Sequence, residues 1–201
     1  MQTTIAWRDG EWTRPPHRVV EGPDGTLQVA AEAGSDAWRD TYYGFRRESA
    51  HALLVSARKS SAYEVSFRLD YTRQYDQAGL MLVRDAQQWV KAGVEITDGS
   101  PHAGAVVTTP AGSDWSVAPA AAWAGTVVTL RASLDRGAVL LRARSEDGPW
   151  QFLRLAPLPP GALRVGPYLC APEGEGLEVA FTAFRAGPAD PDLHLDESSP
   201  L

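Results

Sequence analysis

The chain has 201 residues, of which 44% are hydrophobic and 22% charged, so it can form one folded domain with a sizeable core and is not a disordered chain. Its net charge of −6, without a cluster of lysine and arginine, argues against a nucleic-acid partner, which would need a basic surface. Cys170 is the only cysteine, which excludes an intrachain disulfide and a cysteine-based zinc site, and we expect it to be a buried structural thiol.

Targeting and cofactor signals are missing from the sequence. Residues 1–8 lack the apolar stretch of a secretory signal, and no segment has the length of a membrane-spanning helix. We therefore expect a cytoplasmic protein without a membrane partner. The four histidines are not spaced as metal ligands, and asparagine, a common calcium ligand, is absent, so no metal or other cofactor is expected.

Strand patterns dominate, because apolar and polar residues alternate in short runs while no long segment keeps helical spacing. The stretch 119–123 is an alanine run after a proline and is predicted to be a loop. Asp98-Gly99, Arg136-Gly137 and Asp147-Gly148 are short-turn signals between strands. In chain order, the predicted strands are residues 26–31, 51–58, 63–71, 78–84, 88–97, 105–109, 114–117, 126–135, 139–145, 150–155, 163–170 and 177–185.

Short strands separated by such turns are typical of an all-β sandwich built from two antiparallel sheets. Residues 1–186 are predicted to form this single domain. Residues 187–201 are rich in proline, serine and acidic residues, so they are expected to be a mobile or loosely docked tail.

The predicted strand 88–97 points to a site, because side chains alternate between the two faces of a strand. The even-numbered residues 90–96 are all apolar and are expected to face the core. Trp89, Lys91, Gly93 and Glu95 then share the other face, where Gly93 leaves room for a ligand or a neighbouring ring. Lys91 and Glu95 are about 13 Å apart along the strand, so each needs partners from adjacent strands. An ordinary solvated face is the alternative reading.

Five motifs carry a resemblance to a known family. They are residues 36–45 (DAWRDTYYGF), 49–54 (SAHALL), 75–81 (YDQAGLM), 89–95 (WVKAGVE) and 113–116 (SDWS). Over about residues 7–186 the chain resembles the family of uncharacterised proteins that includes the regulation-of-enolase protein. The resemblance implies a jelly-roll sandwich of the concanavalin A-like lectin/glucanase type, with the ligand on the concave sheet face. The site residues that it implies are Trp38, Tyr42, Tyr43, His51, Tyr75, Asp76, Gln77, Trp89, Lys91, Glu95, Asp114 and Trp115.

Aromatic rings together with planar polar groups suit a sugar, which has apolar faces and polar edges. The first hypothesis is therefore non-catalytic binding of a carbohydrate or a similar polyhydroxylated or sugar-phosphate metabolite. A glycoside-active enzyme using Glu95 with Asp76 or His51 is the second, although the Glu-x-Asp-x-Glu pattern of glucanases with this fold is absent. The third, which rests on the resemblance alone, is a regulatory domain that contacts a glycolytic enzyme. The sequence leaves both a monomer and a homodimer open.

Overall fold

The computed structural model describes residues 2–158 and 161–194. In these ranges the chain forms single-turn 3-10 helices at Trp7–Asp9 and Ala121–Trp123, and no helix is long and apolar enough to cross a membrane. The strands are β1 Thr3–Thr4, β2 Glu11–Trp12, β3 Arg18–Glu21, β4 Leu27–Ala30, β5 Ala37–Arg39, β6 Arg46–Glu48, β7 His51–Ser56, β8 Ser61–Arg68, β9 Gln77–Asp85, β10 Gln88–Thr97, β11 Ser100–Thr109, β12 Gly112–Ser113, β13 Ser116–Pro119, β14 Val127–Asp135, β15 Ala138–Ser145, β16 Gln151–Pro157, β17 Arg164–Cys170 and β18 Glu178–Pro188.

Two antiparallel sheets make up the body of the molecule. Sheet I has the strand order β16-β15-β14-β8-β18-β4-β3, with β1 also paired to β18. Sheet II has the order β12-β11-β10-β9-β17-β7-β2, with β13 also paired to β11, and β5 and β6 form a separate hairpin. The predicted all-β, two-sheet jelly-roll sandwich is confirmed.

The core lies between the inner faces of the two sheets. Sheet I contributes large rings such as Phe67 and Phe181, whose centroids are 6.1 Å apart. Sheet II contributes mostly aliphatic side chains, including those of β10. Asp98 and Gly99 both have positive φ, at 52° and 74°, and this geometry joins β10 to β11 through the tight turn that the sequence predicted.

The predicted strand 114–117 is corrected by the structure. β12 ends at Ser113 and β13 begins at Ser116, so Asp114 and Trp115 lie in the connection between them. The Asp114 carboxylate accepts the N–H of Val107 at 2.9 Å, and the Asp114 N–H donates to the Val107 carbonyl at 3.0 Å. The regular strand pairing is therefore interrupted at Asp114 and Trp115. The predicted loop 119–123 likewise contains a 3-10 turn.

The C-terminal segment is docked where the sequence suggested a loose tail. β18 continues through Pro188, two residues beyond the predicted boundary at 186. Asp190 then pairs with Arg131 and Arg142 on the outer face of sheet I, and its N–H donates to Ser133 Oγ at 2.7 Å. Residues 195–201 of the predicted tail lie outside the described residues.

Candidate functional site

The alternation predicted for β10 is confirmed. Val90, Ala92, Val94 and Ile96 lie in the core between the sheets. Lys91, Gly93 and Glu95 face the outer side of sheet II, since successive side chains of a strand point to opposite faces. The outer face of this sheet is therefore where the sequence placed a site.

The β5–β6 hairpin lies over part of this outer face and buries a second apolar cluster there. Trp38 packs against the edge of that cluster, and Trp89 is inside it with only 6% of its surface exposed. The members of the cluster are Ala37, Ala50, Ala52, Leu54, Met81, Val83, Trp89, Val106, Tyr168 and Cys170. Cys170 is buried and free, as predicted, and burial raises the pKa of its thiol. The hairpin leaves the rest of the face open.

A pocket of about 350 Å³ occupies the open part, a volume at the lower end of the range of ligand sites. It is lined by Asp36, Trp38, Tyr43, Phe45, Arg47, Tyr75, Gln77, Lys91, Glu95, Val106, Trp115, Pro172 and Glu173. Of the twelve predicted site residues, seven are in this lining: Trp38, Tyr43, Tyr75, Gln77, Lys91, Glu95 and Trp115.

A chain of hydrogen bonds connects Lys91 to Glu95 through Gln77 on the adjacent strand β9. Lys91 Nζ donates to Gln77 Oε1 at 2.8 Å, and Gln77 Nε2 donates to Glu95 Oε2 at 2.9 Å. The cation requires the amide oxygen and the carboxylate requires the amide nitrogen, so the two charges fix the orientation of the glutamine. The expectation that Lys91 and Glu95 need partners from neighbouring strands is confirmed.

Both charged ends of this chain have a further partner. Lys91 Nζ lies 3.4 Å from Asp36 Oδ1 and 5.9 Å from the centre of the Trp89 ring. Thr97 Oγ1 donates to Glu95 Oε1 at 3.1 Å. Burial raises the pKa of Glu95, and the attraction of Lys91 and the hydrogen bond from Thr97 partly offset that effect.

One wall of the pocket is aromatic and belongs to the β5–β6 hairpin. The Tyr43 ring meets the edge of Trp38 at 5.8 Å between centroids and stacks on Phe45 at 5.3 Å. Arg47 lies over the far ring, with its guanidinium carbon 4.9 Å from the centre of Phe45. Burial raises the pKa of the Tyr43 hydroxyl. The polar side chains of Lys91, Gln77 and Glu95 form the floor of the same pocket. Flat apolar faces and polar groups in one pocket suit a sugar ring.

The pocket lining also includes Tyr75, whose backbone is held in a left-handed conformation with φ of 60°. Its N–H donates to the carbonyl of Ile96 at 2.8 Å, and the following residues continue into β9. Such a conformation is uncommon for a non-glycine residue, and in this chain it also occurs in turns between strands, such as at Asp98 and Arg136.

Glycines form the floor beside Glu95. Gly79, Gly93 and Gly104 are register partners on β9, β10 and β11. A Cβ on Gly93 would lie 2.9 Å from the hydroxyl of Tyr168, so that position accommodates a neighbouring ring, one of the two alternatives predicted for it. The Tyr168 hydroxyl lies 3.5 Å from Gln77 Oε1 and joins the hydrogen-bonded floor.

Two predicted residues face the other side of sheet II. His51 is fully buried: Glu32 donates its N–H to Nε2 at 3.0 Å, and Nδ1 lies 3.1 Å from the carbonyl oxygen of Arg14. Burial lowers the pKa of His51. Asp76 is next to Gln77 in the chain and therefore points away from the pocket, into a separate cleft. Burial raises the pKa of Asp76 from 3.8 to about 6.

The other three predicted residues lie near the pocket without lining it. Trp89 lies within the apolar cluster, whereas Tyr42 is 94% exposed and meets the Tyr43 ring edge to face, at 5.1 Å between centroids. Asp114 pairs with Arg154. Among the described residues no His, Cys, Asp and Glu side chains gather as a metal site.

Sequence reasoning missed several pocket residues. Asp36 and Arg47 flank predicted positions in the hairpin, but nothing in their pattern marks them as inward-facing. Tyr168 carried a usable signal, because it lies two residues before Cys170 on the predicted strand 163–170 and shares its face.

A two-sheet jelly roll with an open pocket on an outer sheet face defines a concanavalin A-like β-sandwich protein. The chain belongs to the family described as "Protein of unknown function (DUF1349)", whose model matches residues 12–189. It is 35% identical to Regulation of enolase protein 1 of Saccharomyces cerevisiae over 189 residues, covering 92% of this chain and 93% of that protein. The resemblance seen in the motifs is confirmed.

Solved structures extend the comparison. The crystal structure of a functionally unknown protein from Saccharomyces cerevisiae matches with a TM-score of 0.84 and 33% identity, covering 92% of this chain and 98% of that one. The GH43 protein BlXynB (K247S mutant) from Bacillus licheniformis matches with a TM-score of 0.70 and 14% identity, covering 94% of this chain and 38% of that one. At that identity the second likeness shows the fold alone.

Proposed function

We propose that the protein binds a carbohydrate or a similar polyhydroxylated metabolite, without converting it, in the pocket on the outer face of sheet II. The observation that carries the proposal is the Lys91–Gln77–Glu95 chain, which presents donors and acceptors opposite the aromatic wall of Trp38 and Tyr43. Ring faces pack on aromatic side chains while hydroxyl groups exchange hydrogen bonds with planar polar groups.

A ligand screen with matched variants tests this proposal. Glycan arrays and thermal-shift measurements with sugars and polyols would compare the wild type with the double variant Lys91→Ala Glu95→Ala. The control is Lys59→Ala Glu21→Ala, which removes the same two kinds of charge at exposed positions. A ligand is expected to raise the Tm of the wild type and the control but not of the pocket variant. Equal shifts in all three proteins, or none in any, would refute binding at this pocket.

Hydrolysis is less well supported than binding. A glycosidase normally needs two carboxyl groups flanking the scissile bond, about 5–9.5 Å apart. Glu95 shares the pocket lining with Asp36 and with the exposed Glu173, whereas Asp76 and His51, the groups expected to assist it, lie on the other side of the sheet. Asp36 is paired with Lys91 and also accepts the N–H of Ala37 at 2.7 Å. Turnover of nitrophenyl glycosides that is lost in Glu95→Gln would favour an enzyme instead.

A regulatory contact with a glycolytic enzyme is the second candidate function. It is supported by the relative named Regulation of enolase protein 1, which is similar over 92% of this chain. Calorimetry with purified enolase from the same organism would test it. Binding by the wild type that persists in the Lys91→Ala Glu95→Ala variant would support an interface outside the pocket. Absence of binding by the wild type would remove this candidate.

A further inference from the structure

We infer that the pocket discriminates by charge: it admits uncharged and amine-bearing polyhydroxylated ligands and rejects their phosphorylated and carboxylated analogues. The inference rests on the proposed function and specifies the class of ligand. It follows from how the buried charges of the floor are already paired, together with a small niche beside Glu95.

The ammonium group of Lys91, the positive charge of the floor, already has two partners within the protein. Lys91 has only 5% of its surface exposed, and its ammonium group is shared between Asp36 at 3.4 Å and Gln77 at 2.8 Å. Since an ammonium group has three donors, at most one remains for a ligand. A phosphate would have to compete with Asp36 for this cation.

The negative charge of Glu95 has no such counter-ion. In residues 2–158 and 161–194 its carboxylate has no ion-pair partner, and its donors are the neutral groups of Gln77 and Thr97. Burial raises the pKa of this carboxyl group, and the nearby charge of Lys91 offsets only part of that effect. With Glu95 ionised, Asp36, Lys91 and Glu95 leave one excess negative charge at the floor. Hydroxyl and ammonium groups donate to such a carboxylate, whereas an anionic group is repelled.

The two charged residues on the sides of the pocket do not reverse this balance. Arg47 lies on the aromatic wall over Phe45, and Glu173 lies on the rim with the opposite charge. Both are exposed, so water and salt screen them more strongly than the buried floor. The floor therefore sets the preference.

A niche next to Glu95 fits a hydroxyl group. A space of about 20 Å³ lies over Gly93 and Gly104, with Glu95, His102 and Tyr168 around it. A space of this volume can hold one water molecule or one hydroxyl group, and two or more polar groups surround it. A single ligand hydroxyl placed there can donate to Glu95 Oε1 or Oε2. A Cβ on Gly104 would lie 2.2 Å from the carbonyl oxygen of Ser116, so glycine at this position allows β13 to approach β11 closely beside the niche.

Calorimetry with sugars that differ at one carbon tests the inference. The probes are glucose, glucose 6-phosphate, glucuronate and 6-amino-6-deoxyglucose, together with the corresponding galactose set, measured at pH 7.5. The neutral and amine-bearing sugars are expected to bind at least about ten-fold more tightly than the two anionic sugars, as for a like charge kept out of a partly buried site. In Glu95→Gln this ratio is expected to fall by about five-fold or more. The control Glu21→Gln, an exposed position on β3, is expected to keep the wild-type ratio.

Three outcomes would overturn the inference. The first is that glucuronate or glucose 6-phosphate binds as tightly as glucose. If that binding were then lost in Arg47→Gln, Arg47 on the aromatic wall would be the group that binds the anion. Rejection of 6-amino-6-deoxyglucose to the same degree as glucuronate would show exclusion by size. An unchanged ratio in Glu95→Gln would show that the carboxylate is not responsible. If no probe binds, the proposed function fails, which is a different result from binding without discrimination.

Discussion

Each sheet carries a cluster of buried charges on its outer face. The two clusters differ in whether other parts of the chain cover them and in whether their charges balance. On sheet I, Arg131 and Arg142 are register partners on β14 and β15, and Arg131 also pairs with Glu64 on β8 at 2.6 Å. Asp190 from the C-terminal segment pairs with both arginines. Their remaining donors reach main-chain carbonyls of the same segment, at Pro188 and Leu193. Two positive and two negative charges balance under a cover made by the chain itself.

On sheet II, the corresponding cluster is Asp36, Lys91 and Glu95, joined through Gln77. Its charges do not balance, and the β5–β6 hairpin covers only the neighbouring apolar part of the face. A cluster that only stabilised the fold would be covered and neutral, as on sheet I, because unpaired buried charge is unfavourable. The open and unbalanced cluster is the one that suits a ligand.

The largest expected effect on stability comes from removing a charge from the covered cluster on sheet I. Asp190→Ala leaves Arg131 and Arg142 without their shared counter-ion under a nearly complete cover, which should lower the free energy of unfolding by about 3 kcal/mol. Urea unfolding would measure it. The control is Asp192→Ala in the same segment, whose exposed side chain should matter by less than about 0.5 kcal/mol. Equal effects of the two variants would mean that the segment is not held by Asp190.

Breaking the open cluster should have a smaller effect, because water can reach the groups left behind. Lys91→Met removes the partner of Asp36 and Gln77 and should lower the free energy of unfolding by about 1–2 kcal/mol. It should also raise the pKa of Glu95 further, since Lys91 now lowers it. NMR titration of the carboxyl carbon of Glu95 in both proteins would show the shift. A lower pKa in Lys91→Met would contradict the proposed arrangement of charges.

Asp76 extends the comparison to a buried carboxyl group outside both clusters. Within the part of the chain that the structure describes, its buried Oδ1 has no hydrogen-bond partner, and burial raises its pKa to about 6 although the charge of Arg73 lowers it. The folded protein therefore binds the proton more tightly than the unfolded chain, so this contribution to stability is present below about pH 4 and is lost as the pH rises through 6. Asp76→Asn should remove that dependence.

When the pH is raised from 4 to 7.5, the free energy of unfolding of Asp76→Asn is expected to increase by about 1 kcal/mol relative to that of the wild type. This is less than the energy equivalent of the full pKa shift, because solvent reaches the cleft. Urea unfolding at the two pH values would measure it. Asp70→Asn, in the same cleft and paired with Arg68, serves as the control and should not gain stability with rising pH. A wild type whose stability increases from pH 4 to 7.5 to the same extent as that of Asp76→Asn would contradict the assignment.

The fold could be predicted from the sequence because its signal is local. β10 was predicted at its observed bounds, residues 88–97, since its inward side chains are all apolar and its ends coincide with turns. The β5–β6 hairpin was not predicted, because it is held by distant contacts: Ala37 and Trp38 pack on a cluster that contains Met81 and Trp89. Without that hairpin, the wall and the cover of the pocket could not be foreseen.

The candidate site was predicted well where alternation was applied and poorly where it was not. Lys91 and Glu95 were assigned to one face of a strand, and both line the pocket. Asp76 and Gln77 were both assigned to the site although neighbours in a strand point to opposite faces, and only Gln77 lines it. His51 likewise shares the inward face of β7 with Leu53. Family motifs select residues near a site, whereas strand geometry decides which of them reach it.

The smallest expected effect separates two adjacent tyrosines of the aromatic wall. Tyr43 stacks on Phe45 and lines the pocket, whereas Tyr42 is 94% exposed with a positive φ of 64°. Tyr42→Ala should change the free energy of unfolding by less than about 0.5 kcal/mol and leave the affinity for a bound sugar unchanged. Tyr43→Ala should weaken that affinity by about 1 kcal/mol through loss of a stacking surface. Calorimetry with both variants measures the difference, and equal losses would mean that the exposed ring of Tyr42 also forms part of the site, which would contradict the assignment of Tyr42 to the outside of the wall.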